Sequence, residues 1–204
     1  MAADRAVPTA ATGPPADIAD IGDIAHIGFP GVRYDELVEH GRRKLGGRWV
    51  EGEEQAPKAY GLVGGRIHGA WVEVTHVLPL RNNLRDRPDL KAHIDRMMTE
   101  WAVPSETPMD RRGWVADPRE VMAAERTCDE AGSTLFGAYH MHRVPWPDDP
   151  LRDSCTALDR GLAEDSGLWT LILSLVDPSV PRLRAFFEGD NDREAVICMD
   201  GIAC

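Results

Sequence analysis

The apolar positions of this chain fall into short runs with two different periods. Residues 168–176 are almost continuously apolar, the pattern of a strand covered on both faces, and they predict a central strand. Residues 70–78 alternate in part and, with the run 60–63 before Gly64-Gly65, predict a hairpin. The run 135–139 leads directly into His140, and residues 182–188 and 195–199 complete the predicted sheet. A helical period places Leu37, Val38 and Leu45 on or near one face of a helix over 32–45, stopped by Gly46-Gly47. Further helices are predicted over 88–100, 117–130 and 154–164. The third opens on Asp117-Pro118-Arg119-Glu120: Asp117 caps, Pro118 suits the first turn, and Glu120 is placed for a reciprocal capping bond. Val121, Ala124 and Cys128 then face inward.

Strands and helices mixed in this order predict an α+β or three-layer α/β domain. Residues 1–27, with Pro8, Pro14 and Pro15, read as a flexible arm with a short docked piece around Ile21 to Ile27. Residues 28–204 read as one domain. Residues 102–115, rich in Pro and Arg, and the loop carrying Pro145, Trp146 and Pro147 are long enough to frame a pocket.

Charge narrows the classes. The chain has 34 acidic and 23 basic residues, a formal net charge of -11, which argues against a protein that binds nucleic acid by neutralising phosphates. No apolar stretch is long enough to span a bilayer, and the N-terminus lacks a hydrophobic signal core, so the expected location is cytoplasmic. A small-molecule or peptide-like substrate remains. Cys128, Cys155, Cys198 and Cys204 have no CxxC spacing and do not read as a disulfide framework. Cys128 and Cys198 read as buried hydrophobes, and Cys155 as a residue that could line a pocket.

The chemistry concentrates at His140-Met141-His142. Imidazoles two residues apart on a strand point to the same side and can reach one metal ion. Asp159 lies in a predicted helix just after the loop that begins at these histidines, so the chain can return its carboxylate to them. Asp153 is the rival carboxylate, and Asp148 and Asp149 suit a solvated loop. Two histidines and one carboxylate leave a tetrahedral position open, the catalytic pattern for Zn²⁺. The same set matches an Fe²⁺ facial triad.

Gly137-Ala138-Tyr139-His140-Met141-His142, Thr156-Ala157-Leu158-Asp159 and the stretch from Pro57 to Gly64 together resemble motifs of the JAMM (MPN-type) metalloproteases. The resemblance covers roughly residues 32–188 and implies a central mixed sheet flanked by helices. It implies Zn²⁺ on His140, His142 and Asp159, and an activated water that attacks an amide or isopeptide carbonyl. By the same resemblance Thr156 helps hold the oxyanion, and Lys58 occupies the position of the family's catalytic Glu. An ammonium cannot accept a proton from water, so Glu54, one helical turn before Lys58, and Glu73 on the second strand are candidate bases, as is Lys58 with a depressed pKa. Arg143 stands where the family has Pro. Three functions follow: a divergent JAMM-type metallohydrolase; a metalloenzyme of different, Fe-dependent chemistry on an anionic small molecule held by Lys58, Arg143 or Arg152; and a non-catalytic MPN-like scaffold or binding module.

Overall fold

The computed structural model describes residues 20–104, 107–143 and 150–200. Its strands are β1 (His26–Phe29), β2 (Tyr60–His68), β3 (Trp71–Pro79), β4 (Thr134–His142), β5 (Trp169–Ser174), β6 (Arg182–Phe187) and β7 (Glu194–Met199). They close into a barrel in the spatial order β1-β3-β2-β4-β5-β6-β7. β1 performs the closure, pairing in parallel with β3 (Ile27 opposite Val72) and with β7 (Ile27 opposite Ile197). β4 and β5 are also parallel, with His140 opposite Ile172. Their connection is a crossover that carries a helix, as parallel neighbours require.

The barrel overturns both the JAMM/MPN assignment and the fold that came with it, and with them the divergent JAMM-type metallohydrolase. A central sheet flanked by helices has two edges; here β1 leaves none. The reason the sequence misled is local: a strand in a closed barrel alternates just as one in an open sheet does. At four residues, His26–Phe29 is also too short to show what it pairs with. The docked piece expected around Ile21 to Ile27 is a 3-10 turn at Ile21–Asp23 followed by the start of β1. Residues 1–19 of the expected arm lie outside the described residues.

The interior is one apolar cluster that includes Val63, Val72, Val74, Phe136, Tyr139, Leu171 and Leu173. Helix α1 (Gly31–Leu45) adds Leu37 and Val38 to it. It packs on β3 and β5, which are not neighbours around the barrel. Gly41 permits this approach: a Cβ there would lie 2.6 Å from Leu175 Cδ1 and 2.9 Å from Leu173 Cδ2. The remaining helices are α2 (Pro88–Trp101), α3 (Pro118–Glu130) and α4 (Ala157–Ala163). On the outer face of β2 and β4, Ala124 of α3 packs with Tyr60, Leu62 and Leu80. Asp117 caps α3 as predicted, accepting from Arg119 N at 2.9 Å. Glu120 instead accepts from the Arg81 and Asn82 amides at 3.1 and 3.0 Å, tying the exit of β3 to the helix. No helix of the described residues is long and apolar enough to cross a membrane.

A polar chain is sealed beneath β4. His40 Nδ1 lies 2.7 Å from the Tyr139 hydroxyl, and its Nε2 lies 3.3 Å from Glu53 Oε1. An ionised carboxylate only accepts, so Nε2–H donates to Glu53 and Nδ1 accepts from Tyr139. Arg43 closes the network with two bonds to Glu53, at 2.6 and 2.8 Å. Burial, reinforced by the Arg43 charge, lowers the His40 pKa to about 4. The bonds from Arg43 and Val50 overcome the opposing effect of burial and bring Glu53 to about 2.

His40 therefore stays neutral when folded, while an unfolded chain takes up its proton near pH 6.5. Its contribution to stability is complete above pH 6.5 and is lost as pH falls toward 4. Urea unfolding at pH 7.5 and pH 4 should show a loss of roughly 3 kcal/mol from this one group. In His40→Gln that part of the pH dependence should disappear; an unchanged slope would mean that His40 is already charged in the folded protein.

Candidate metal centre

His140 and His142 point outward from β4 because Tyr139 and Met141, which alternate with them, point inward. The rings stand 5.0 Å apart between centroids, with the two Nε2 atoms 3.1 Å apart. Asp159 of α4 meets them, its Oδ1 3.1 Å from His140 Nε2 and its Oδ2 3.5 Å from His142 Nε2. One donor atom from each of the three residues lies within 4.8 Å of the others, so the cluster is able to chelate a metal ion.

Two of the donors, His142 and Asp159, are held by partners outside the cluster. His142 Nδ1 is 3.0 Å from the Arg152 carbonyl; a carbonyl only accepts, so Nδ1 donates, and in the neutral ring Nε2 presents its lone pair to the cluster. Arg152 is positioned in turn by its neighbour Asp153, which is buried and accepts from Ser174 Oγ, from Arg182 at 2.9 Å and from Arg152 Nε at 3.3 Å. Asp153, the rival carboxylate, is thus committed elsewhere. Asp159 belongs to a capping box on α4: Thr156 N and Thr156 Oγ1 both donate to its Oδ2 at 2.8 Å, and Asp159 N returns a bond to Thr156 Oγ1 at 3.3 Å. Oδ1 is left for His140. Burial opposes ionisation of Asp159, but the adjacent His140 and His142 hold its pKa well below the usual carboxylate range. Burial likewise disfavours charge on His142, and the Asp159 carboxylate outweighs it, raising the pKa.

What holds α4 over the strand was not legible beforehand. A Cβ on Gly161 would overlap the Trp101 ring of α2, and one on Gly189 would come within 2.9 Å of Arg160 Cα. The Asn191 side chain clasps the Cys155 backbone, accepting from its N–H at 3.1 Å and donating to its carbonyl at 2.9 Å. Small residues at 161 and 189 were the available signal, but nothing in the sequence said what they faced.

The cluster forms one wall of a cavity of about 190 Å³. Lys58 lines it too. The β2–β4 ladder, in which Tyr60 faces His140, continues one step further through Met141 N–H to the Ala59 carbonyl at 2.9 Å. Lys58 Nζ donates to Glu54 Oε1 and to the Gly113 carbonyl, both at 3.2 Å. Glu54 lies behind the wall. Its segment is not helical, and its carboxylate also accepts from Tyr60 Oη at 2.9 Å and from Asn83 Nδ2 at 3.2 Å. The structure does not bring Glu73 to the cluster: it is exposed on β3 opposite Arg66, roughly 20 Å along β2 from Tyr60. The Thr156 hydroxyl lines the cavity with its proton directed to Asp159.

Residues 102, 103, 107 and 111–114 supply the opposite wall, as the length of that loop suggested. Trp114 stacks on Tyr60 there, with centroids 5.0 Å apart. Arg143 also faces the cavity and donates to Thr107 Oγ1 at 3.0 Å. Cys155 is buried against Ile172 and Phe186, where burial pushes its thiol pKa up, away from the thiolate a nucleophile needs. Trp146, Asp148, Asp149 and Cys204 lie outside the described residues.

No protein-family model matches the sequence, and no curated protein sequence does. Among solved structures, the chain is similar to the solution structure of protein DSY2949 from Desulfitobacterium hafniense. The two are 27% identical with a TM-score of 0.55, over 85% of this chain and 92% of that one. It also matches the solution structure of a protein from Salinibacter ruber at 21% identity and a TM-score of 0.44, over 87% of this chain and 94% of that one.

Proposed function

We propose that His140, His142 and Asp159 hold a divalent cation, Zn²⁺ by preference, and that the cavity is the substrate site of a metal-dependent hydrolase acting on an amide-like bond. The observation that carries this reading is the convergence of three donors on the wall of a cavity, two of them, His142 and Asp159, oriented by further hydrogen bonds. Two imidazoles and a carboxylate suit Zn²⁺ with one position left open. Ligand orientation by a backbone carbonyl and a capping bond is what a metal site requires of its surroundings.

A divalent ion held there supplies Lewis acidity and lowers the pKa of a coordinated water toward ~7, so that a dedicated carboxylate base is not needed to form the nucleophile at neutral pH. The chain's own residues do the rest. Thr156 and the Arg152 carbonyl keep Asp159 and His142 in place. Lys58, across the ladder from the histidine strand and fixed by Glu54, offers an N–H donor to the oxygen on which negative charge develops.

A second reading, in which the cluster holds Fe²⁺ for other chemistry, is favoured by one observation. Among the described residues lining the cavity, Asp159 is the sole carboxylate, and it is a ligand in either case. Element analysis after anaerobic purification separates the two: zinc at about one equivalent supports the first reading, iron the second. In both, Asp159→Asn should keep the cap through its amide oxygen while lowering metal affinity by tenfold or more. Metal content unchanged in both Asp159→Asn and His140→Ala would sink the metal reading.

Thr156 tests the support beneath the ligand. Thr156→Ser keeps the capping hydroxyl and should leave stability unchanged, whereas Thr156→Val should cost about 1 kcal/mol in urea unfolding. It should also weaken metal binding on the order of tenfold, because Asp159 loses the donor that orients it.

A further inference from the structure

The charge lining the cavity is opposite to that of the chain. The protein carries a formal net charge of -11, yet Lys58, Arg111, Arg112 and Arg143 all line this one cavity, against a single carboxylate, Asp159, among the described residues. These cations do different things. Arg112 holds the loop, donating to the Thr107 carbonyl at 2.6 Å and the Val103 carbonyl at 2.7 Å. Lys58 is fixed between Glu54 and Gly113. Arg143 makes its hydrogen bond to a neutral hydroxyl, and neither it nor Arg111 forms an ion pair with an acid among the described residues. The other walls are apolar, with Trp114, Val103, Leu158 and Leu162.

We propose that the cavity selects a small organic anion, its acidic group held by Arg143 with Arg111 at the rim and its apolar body lying against Trp114, Leu158 and Leu162. A guanidinium presents a planar fork of donors that matches a carboxylate or phosphoryl group in pairs. Apolar walls lower the local dielectric and strengthen that contact. At about 190 Å³ the cavity is smaller than the roughly 300–1,000 Å³ of sites for drug-sized ligands, which limits the occupant to a small molecule or the end of a chain. The proposal rests on the cavity being the substrate site and does not depend on which metal the cluster holds.

Metal-free protein makes the test specific, because an anion could otherwise bind by coordinating the ion. Amide chemical shifts are followed during titration with butyrate, butyl phosphate and uncharged butyramide. The expected result is saturable binding of at least one acid, tenfold or more tighter than butyramide, with shifts at Arg143 and Trp114. Arg143→Gln should weaken the acid about tenfold and leave butyramide unchanged; Arg111→Gln should do so to a smaller extent. Added salt should weaken the acid alone. The preferred acid identifies a carboxylate or a phosphoryl group. Equal binding of butyramide, or acid binding untouched by Arg143→Gln in a variant whose remaining spectrum is unchanged, would overturn the proposal. Acid binding seen only after Zn²⁺ is added would overturn it as well while leaving the metal reading intact. Acid binding to a protein that takes up no metal would leave this proposal standing and remove the metal.

Discussion

Along β4, Tyr139 and Met141 must enter the barrel, and this sends His140 and His142 out through the opposite face. The parity is set three residues earlier. The ladder with β2 steps from Gly64 opposite Leu135 to Val63 opposite Gly137, so Phe136 is an extra residue on β4. Phe136 and the position facing Val63 both turn inward. Without that bulge strict alternation from Leu135, which packs outside with Tyr60 and Leu62, would carry both histidines into the core. A bulge re-aims every side chain beyond it. The candidate site therefore depends on one inserted residue as much as on its ligands.

The two faces of β4 carry opposite kinds of polar group. Inside, Tyr139, His40 and Glu53 form a closed chain in which every donor meets an acceptor, and no buried side-chain polar atom of the described residues is left without a partner. Such a network specifies a unique core, at the cost of sensitivity to acid. Outside, His140 and His142 face each other and a carboxylate across a cavity wall. Glu53 and Glu54 join the two sides: one carboxylate completes the interior chain, and its neighbour fixes Lys58 and Tyr60 at the cavity. The irregular stretch between α1 and β2 is thereby held by charge on both of its faces.

Much of the secondary structure could be read from the sequence because it follows from local rules. Gly46-Gly47 ends α1, Asp117 caps α3, and the continuous run at 168–176 contains the fully buried β5. The His140, His142 and Asp159 grouping was legible for the same reason, since the ligands lie on one strand and on the helix that follows it. What failed was everything that depends on distant pairing. Closure by β1 leaves no trace in four residues. The short motifs that resembled a metalloprotease family specify a strand and a capped helix, and a barrel can present both. Glu54 and Glu73 could not be ranked because their positions depend on a turn and a register, and the clasp of Asn191 on Cys155 spans 36 residues.

The charge at the cavity also gives Lys58 a reason to stand where a base was expected. A divalent ion held as proposed would leave excess positive charge beside one carboxylate; Lys58, Arg111 and Arg143 add to it, and among the described residues Glu54 offsets Lys58 alone. Like charges in a partly dry cavity repel strongly. An arrangement of this kind is stable only when something anionic is bound or when solvent screens the charges. A second free carboxylate on the wall would ease the repulsion, but it would also compete for the cations and repel an acidic ligand. The wall is therefore better suited to holding a negative charge than to moving a proton.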